Sequence, residues 1–237
     1  MSAIATRAYP LGKTLVILVV TAIVSIVAAV LVVGIALITK IVDAEHFFKD
    51  PIPLAVFGQF ISYIPGIYIL LKLTPKFVNC SWEDVGLKKP TLKDITTGFI
   101  GAIVSLLIVG VIGFVLVKTT GIHMDDSAKL LGSNPTIFQL IILAVVAVVG
   151  APLFEELTFR GIVLNAVKER FGFWPSIIIS GLVFSMAHLS IVNIIPLAIV
   201  GIILGLAYQR TKNLWTSITM HAVFNAAGIS QLILMHK

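Results

Sequence analysis

The feature that most constrains this fold is a series of apolar stretches, each long enough to cross a bilayer as a helix. A membrane-spanning helix needs ~20 predominantly apolar residues. Because lipid cannot hydrogen-bond an open backbone, we expect each stretch to be helical. The predicted spans are Thr14–Thr39, Ile52–Leu71, Ile95–Val117, Thr136–Arg170, Trp174–Leu189, Ile191–Tyr208 and Leu214–Leu234.

The composition agrees with a membrane protein and excludes several other classes. The 237 residues are 58% hydrophobic and 12% charged, whereas a soluble domain has ~25% charged residues. We therefore predict an all-α, polytopic transmembrane helix bundle of about seven spans, or eight if a short connection hides a broken helix. The basic residues are scattered between apolar stretches, so no nucleic-acid partner is expected. The single cysteine, Cys80, excludes an internal disulfide and a multi-cysteine metal site.

The distribution of lysine and arginine predicts how the chain crosses the membrane. If the N-terminus is cytoplasmic, the inside connections hold eleven basic residues and the outside connections hold five, with the intramembrane Arg160 left out. Cytoplasmic loops carry the excess of basic residues. We expect an integral membrane protein with its N-terminus inside and an uncleaved first span.

Three charged residues follow the almost purely apolar stretch Ile137–Gly150, namely Glu155, Glu156 and Arg160. A charge within the bilayer costs ~3 kcal/mol, so such residues are functional candidates. Residues four apart share a helix face, which predicts a Glu156–Arg160 ion pair and leaves Glu155 available as a general base. The alternative is a purely structural pair beside a Glu155 that reaches towards the membrane surface.

Two later spans carry further polar residues at helical spacing. Phe184 and His188 share one face of the fifth span, and His221 and Asn225 share one face of the seventh. Each pair on its own is also explained as a polar contact between helices. Together with Glu155 they provide what the hydrolysis of a peptide bond by water requires, namely a base and hydrogen-bond donors for the oxyanion.

These residues form three motifs that resemble those of a known family. EELTFR matches EExxxR, FSMAH matches FxxxH and HAVFN matches HxxxN, in that order along the chain. The region from Trp82 to Gly228 resembles the CAAX-protease and bacteriocin-processing (Abi) family of intramembrane proteases. The resemblance implies two parts, with residues 1–81 holding the first two spans and residues 82–237 forming a catalytic transmembrane domain.

The resemblance also implies a role for each motif residue. Glu155 becomes the base that activates water, with His188 assisting. His221 and Asn225 stabilise the oxyanion, while Glu156, Arg160 and Phe184 support them. The family has been described both as metalloproteases and as metal-independent glutamate proteases. We expect no cofactor, although Glu155, His188 and His221 together could hold a divalent metal such as zinc.

The expected function is therefore an intramembrane endopeptidase that acts on a membrane-tethered or hydrophobic peptide. Two alternatives remain open, a non-catalytic immunity or scaffold protein of the same fold and a transporter with a polar relay. One difficulty concerns depth in the membrane. At a rise of 1.5 Å per residue, straight spans would place Glu155 near the cytoplasmic side and His188 towards the outside, so a kink at Gly150–Pro152 or a tilt is required.

Overall fold

The structure, a computed structural model, describes residues 9–39, 52–121 and 137–235. Seven helices make up this part of the chain, and it contains no strand. Arg7, Lys40, Lys49, Lys129 and Lys237, which contribute to the predicted orientation, lie outside the described residues. The helices are α1 (Leu11–Ile38), α2 (Ile52–Val78), α3 (Leu92–Thr120), α4 (Ile137–Phe171), α5 (Phe173–Ala187), α6 (Ile194–Thr211) and α7 (Leu214–Met235).

The predicted helical membrane bundle is confirmed. Helices α1, α3, α4 and α6 are long and apolar enough to cross a membrane, and α5 is a shorter apolar helix. The main difference from the predicted bounds lies in α2, which continues past Leu71 to Val78 and through Pro75. The extra turns are stabilised because Leu73, Phe77 and Val78 pack in the hydrophobic core.

The two predicted parts of the chain share one hydrophobic core. Ile17 of α1 and Leu70 of α2 lie in the same buried cluster as Leu157 and Leu164 of α4. The boundary between residues 81 and 82 stays a prediction, but helices on its two sides are packed together.

Helix α4 runs from Ile137 to Phe171 without a break and contains two wider π-helical segments, Val146–Gly150 and Leu157–Leu164. The first of these segments ends two residues before Pro152. Proline has no N–H to donate to the preceding turn, so a regular α-helix is disturbed there. Such π segments are frequent at functional sites. The predicted disturbance near Gly150–Pro152 thus takes the form of a widened turn within a continuous helix.

The depth difficulty is resolved by the tight connection between α4 and α5. Gly172 alone separates the two helices, and its φ of +83° favours glycine. Glu155 lies 17 residues before Gly172 and His188 lies 16 residues after it, which corresponds to ~25 and ~24 Å of helix. The two side chains therefore lie at the same distance from Gly172. The expected mismatch arose because the depth of Glu155 was counted from the outer end of α4, which at 35 residues is longer than a bilayer is thick.

Helix α7, which carries His221 and Asn225, is fixed against α3. Asp94 accepts hydrogen bonds from Asn213 Nδ2 at 2.9 Å and from Thr216 Oγ1 at 3.2 Å. Gly98 lets the helices approach closely, because a Cβ atom there would lie 2.6 Å from the Thr216 carbonyl oxygen. The height of His221 in the bundle is therefore set by contacts one turn below it.

Helices α5 and α6 meet through two glycines. A Cβ atom on Gly201 would lie 2.8 Å from Gly181 Cα and 3.0 Å from the Gly181 carbonyl oxygen. The backbone cannot move aside as a flexible side chain could, and overpacking typically costs ~1–3 kcal/mol.

We predict that Gly201→Ala lowers the free energy of unfolding by ~1–3 kcal/mol. Gly110→Ala is the matched control, because a Cβ atom there would meet nothing within 4 Å. Thermal unfolding of the detergent-solubilised variants would measure both effects. Equal melting temperatures of the two variants would contradict the close contact between α5 and α6.

Candidate active site

The predicted Glu156–Arg160 ion pair is present in α4, and both side chains are fully buried. Arg160 Nη1 donates to Glu156 Oε1 at 2.8 Å. Arg160 Nη2 donates to the carbonyl oxygen of Gly201 at 2.9 Å. The pair therefore ties α4 to α6 at the point where Gly201 meets α5.

Glu156 has a second partner that the sequence did not predict. Its Oε1 atom lies 3.0 Å from Nδ1 of His221. One carboxylate oxygen thus connects Arg160 of its own helix with the imidazole of α7. Glu156 orients His221 as well as neutralising Arg160.

Glu155 is the carboxylate on which the histidines converge. His188 Nε2 and His221 Nε2 each lie 3.9 Å from Glu155 Oε2. The Glu155 side chain is 15% exposed and that of His188 is 34% exposed, so the group is open to one side. Within the described part of the chain, the buried Oε2 atom has no hydrogen-bond partner. The structure thus brings α4, the C-terminal end of α5 and α7 together around one carboxylate oxygen.

Hydrogen bonds to the other ring nitrogens determine what the two histidines present to Glu155. His188 Nδ1 lies 2.8 Å from the carbonyl oxygen of Phe184, an acceptor. His221 Nδ1 faces the Glu156 carboxylate, also an acceptor. Each Nδ1 must therefore carry the proton, and in a neutral ring the Nε2 atom then has a lone pair. Three acceptors consequently face one another: two imidazole nitrogens and the Glu155 carboxylate.

Asn225 lies one helical turn beyond His221 and contacts the first π segment. Its Nδ2 atom donates to the carbonyl oxygen of Ala147 at 2.7 Å. An amide nitrogen has two N–H groups, so one of them is left for another acceptor. The contact also holds α7 against the widened turn of α4.

Phe184 packs beneath the polar group and touches three of its members. Its ring is 4.7 Å from the His188 ring and 5.7 Å from the His221 ring, measured between centroids. The Arg160 guanidinium carbon lies 4.7 Å from the same centroid. Phe184 is 1% exposed. It therefore separates the buried ion pair from the more open side near His188.

One aromatic residue of the group was missed by the sequence analysis. Tyr63 of α2 is 7% exposed and packs against Phe154, the residue before Glu155, with 5.1 Å between ring centroids. A signal was available, because Gln59 and Tyr63 form a polar pair at helical spacing within an apolar span. Nothing in the sequence showed that this face of α2 turns towards Glu155.

The suitability of the site for a metal ion can be tested on its geometry. Two imidazole lone pairs and a carboxylate are suitable zinc ligands, but tetrahedral ligands ~2.1 Å from a metal lie ~3.4 Å apart. The observed separations are 3.9 Å. In the described ranges, no three His, Cys, Asp or Glu side chains are arranged to hold a metal. The donor types are therefore suitable for zinc while their placement is not, and the expectation that no cofactor is needed stays a prediction.

Breaking the buried ion pair provides a test of the internal architecture. We predict that Arg160→Met lowers the free energy of unfolding by ~3–5 kcal/mol, because Glu156 is left as a poorly compensated buried charge. Adding Glu156→Gln should recover a large part of this loss, since the amide carries no charge. Unfolding of the single and double variants in detergent measures the difference.

Arg210→Met is the matched control, because Arg210 is exposed at the end of α6. It should leave the free energy of unfolding within about 0.5 kcal/mol of the wild type. A double variant no more stable than Arg160→Met would contradict the interpretation that the uncompensated charge causes the loss.

The chain is similar to known proteins over the segment that forms this site. The model of the type II CAAX prenyl endopeptidase Rce1-like family matches residues 137–227, the segment that holds all three motifs. A putative membrane peptidase of Bacillus subtilis, YdiL, is 25% identical over 70% of this chain and 66% of its own length. An uncharacterised 24.3 kDa protein of Escherichia coli is 27% identical over 58% of this chain and 65% of its own length.

The matches to both relatives thus span slightly less than two thirds of those proteins. No solved structure matches the chain. The comparisons support a membrane protease at the level of the family. The resemblance that the three motifs indicated is confirmed, since residues 137–227 match the model of the type II CAAX prenyl endopeptidase Rce1-like family.

Proposed function

We propose that the protein is an intramembrane endopeptidase that hydrolyses a peptide bond of a membrane-tethered or hydrophobic peptide. The observation that carries the proposal is the convergence of His188 and His221 on Glu155 Oε2, each at 3.9 Å. This separation is too long for a direct hydrogen bond. Glu155 Oε2 and the Nε2 atom of a neutral His188 ring are both acceptors. A water molecule, which has two protons to donate, suits the space between two acceptors.

In the proposed reaction, water lies between Glu155 and His188 and donates one hydrogen bond to each. Glu155 removes its proton as the water oxygen attacks the carbonyl carbon of the substrate. The C–O bond forms and the carbonyl π electrons move to the oxygen, which gives a tetrahedral oxyanion. Glu155 then returns the proton to the nitrogen as the C–N bond breaks, so that a carboxylic acid and an amine result.

The free N–H of Asn225 supports its proposed role in stabilising the oxyanion. His221 can donate through Nε2 only when both ring nitrogens are protonated, since its Nδ1 proton is bound to Glu156. Removal of one oxyanion donor from a protease typically costs ~10²–10³ in kcat.

The location and orientation are part of the proposal. The two bacterial relatives and the apolar helices favour a bacterial plasma membrane. The excess of basic residues on the inside connections favours a cytoplasmic N-terminus. The partners would be the bilayer itself and a peptide that enters from it.

Replacement of the proposed base is the first test of the function. We predict that Glu155→Gln and His188→Ala stop cleavage while the protein still inserts and folds. Glu155→Gln removes the base that takes a proton from water, and His188→Ala removes the acceptor that orients the water. Quantitative proteomics of membrane peptides from strains that express wild type or variant would show the intact substrates accumulating. Glu83→Gln, at an exposed position in the connection between α2 and α3, is the matched control.

Normal processing by both active-site variants would refute the proteolytic function. A substrate-dependent phenotype, such as immunity to a peptide, that persists in Glu155→Gln would indicate a non-catalytic protein of the same fold. Flux of a solute that depends on Glu155 would indicate a transporter. Metal analysis of the purified active protein, with activity measured before and after chelation, tests the prediction that no cofactor is needed.

A further inference from the structure

Helix α2 packs a tyrosine against the part of α4 that carries Glu155, although α2 lies outside the segment that matches the family. Tyr63 is 7% exposed and belongs to a buried cluster with Val146 and Ala151 of α4. These two residues flank the widened turn whose Ala147 carbonyl oxygen accepts the hydrogen bond from Asn225. Tyr63 thus borders the same part of α4 as the proposed oxyanion donor.

The approach of α2 to α4 is made possible by Gly66. A Cβ atom at this position would lie 2.7 Å from the Phe154 ring and 2.6 Å from Ser25 Oγ of α1. Phe154 in turn packs against Tyr63. Because Phe154 directly precedes Glu155, the contact holds α2 at the height of the proposed base. Ala151, which belongs to the same buried cluster as Tyr63, lies four residues before Glu155 on the same face of α4.

The hydrogen bonding of Tyr63 leaves its own proton available. Gln59 Nε2 donates to the Tyr63 hydroxyl oxygen at 3.1 Å. A phenol that accepts one hydrogen bond still has an O–H to donate. Burial of a tyrosine hydroxyl normally requires a partner. Among the described residues, the buried oxygens Glu155 Oε2 and Glu156 Oε2 both lack a hydrogen-bond partner, and of the two side chains only that of Glu155 is partly exposed.

We propose that Tyr63 is a further catalytic residue, whose O–H donates to the oxygen of the water that Glu155 activates. The proposal rests on the proteolytic function proposed above. The water would donate one hydrogen bond to Glu155 and one to His188, and it would accept one from the Tyr63 hydroxyl. One lone pair then remains, and the tetrahedral arrangement of the other three bonds directs it towards the substrate carbonyl. Tyr63 fixes the direction of attack, and its hydrogen bond therefore stabilises the transition state more than the ground state.

The test is Tyr63→Phe, which retains the ring that packs against Phe154 and removes only the hydroxyl. Tyr68→Phe is the matched control on the same helix, because Tyr68 is 60% exposed. The proteins would be reconstituted in vesicles of phosphatidylethanolamine and phosphatidylglycerol. The probe is a fluorogenic copy of a peptide that accumulates in the Glu155→Gln strain.

We expect Tyr63→Phe to lower kcat by roughly 10²-fold, the effect of losing one positioned donor. KM should stay unchanged, since the hydroxyl contacts the water and not the peptide. Tyr68→Phe should behave as wild type. A Tyr63→Phe protein with the wild-type kcat, or with a changed KM alone, would overturn the role of the hydroxyl.

Gln59→Leu provides a second measurement if Tyr63→Phe is poorly folded. It removes the N–H that holds the phenol oxygen but leaves Tyr63 in place, so a several-fold loss of kcat is expected. Wild-type kcat in this variant would also overturn the proposal. The Glu155→Gln variant distinguishes the two proposals. If this variant remains active, the proposal that this site carries out proteolysis is wrong. If it is inactive and Tyr63→Phe is unaffected, only the proposed role of Tyr63 is wrong.

Discussion

The rest of the structure depends on one buried ion pair, Glu156–Arg160, which has to be satisfied inside an apolar bundle. Two charges taken out of water cost several kcal/mol each unless further hydrogen bonds compensate them. These bonds come from two other helices, through the carbonyl oxygen of Gly201 and the imidazole of His221. Satisfying the pair therefore fixes α6 and α7 relative to α4, and the close contact of Gly201 with Gly181 adds α5.

The same constraint gives Glu155 its different environment. Adjacent residues on a helix point ~100° apart, so while Glu156 is directed into the bundle, Glu155 faces the side where His188 remains partly exposed. Glu156 has two cationic or hydrogen-bonding partners, whereas the buried oxygen of Glu155 has none among the described residues. Two identical side chains next to each other thus acquire distinct chemistry. One is a fixed structural anion and the other is available to accept a proton.

Much of this could be predicted from the sequence because it follows from local periodicity. The lengths of the apolar stretches predicted the helices, and the i,i+4 spacing predicted the Glu156–Arg160 pair. What could not be predicted depends on contacts between distant segments. The level of Glu155 relative to His188 required the position of the Gly172 turn, and the bond between Glu156 and His221 required the register of α7. The contribution of Tyr63 required the rotation of α2, whose apolar residues give no clear signal of which face is buried.

The widened turn at Val146–Gly150 explains how hydrogen-bond donors can gather on one side of Glu155. A regular α-helix uses each carbonyl oxygen within the helix, but a π segment alters this pattern and its carbonyls become more accessible to side chains. Ala147 uses its carbonyl oxygen to hold Asn225, and the neighbouring Val146 and Ala151 form the surface on which Tyr63 packs. Acceptors therefore cluster at the level of Glu155, and donors cluster towards the N-terminal side of α4. In the proposed mechanism, this polarity places the water near Glu155 and directs the substrate carbonyl oxygen towards the widened turn.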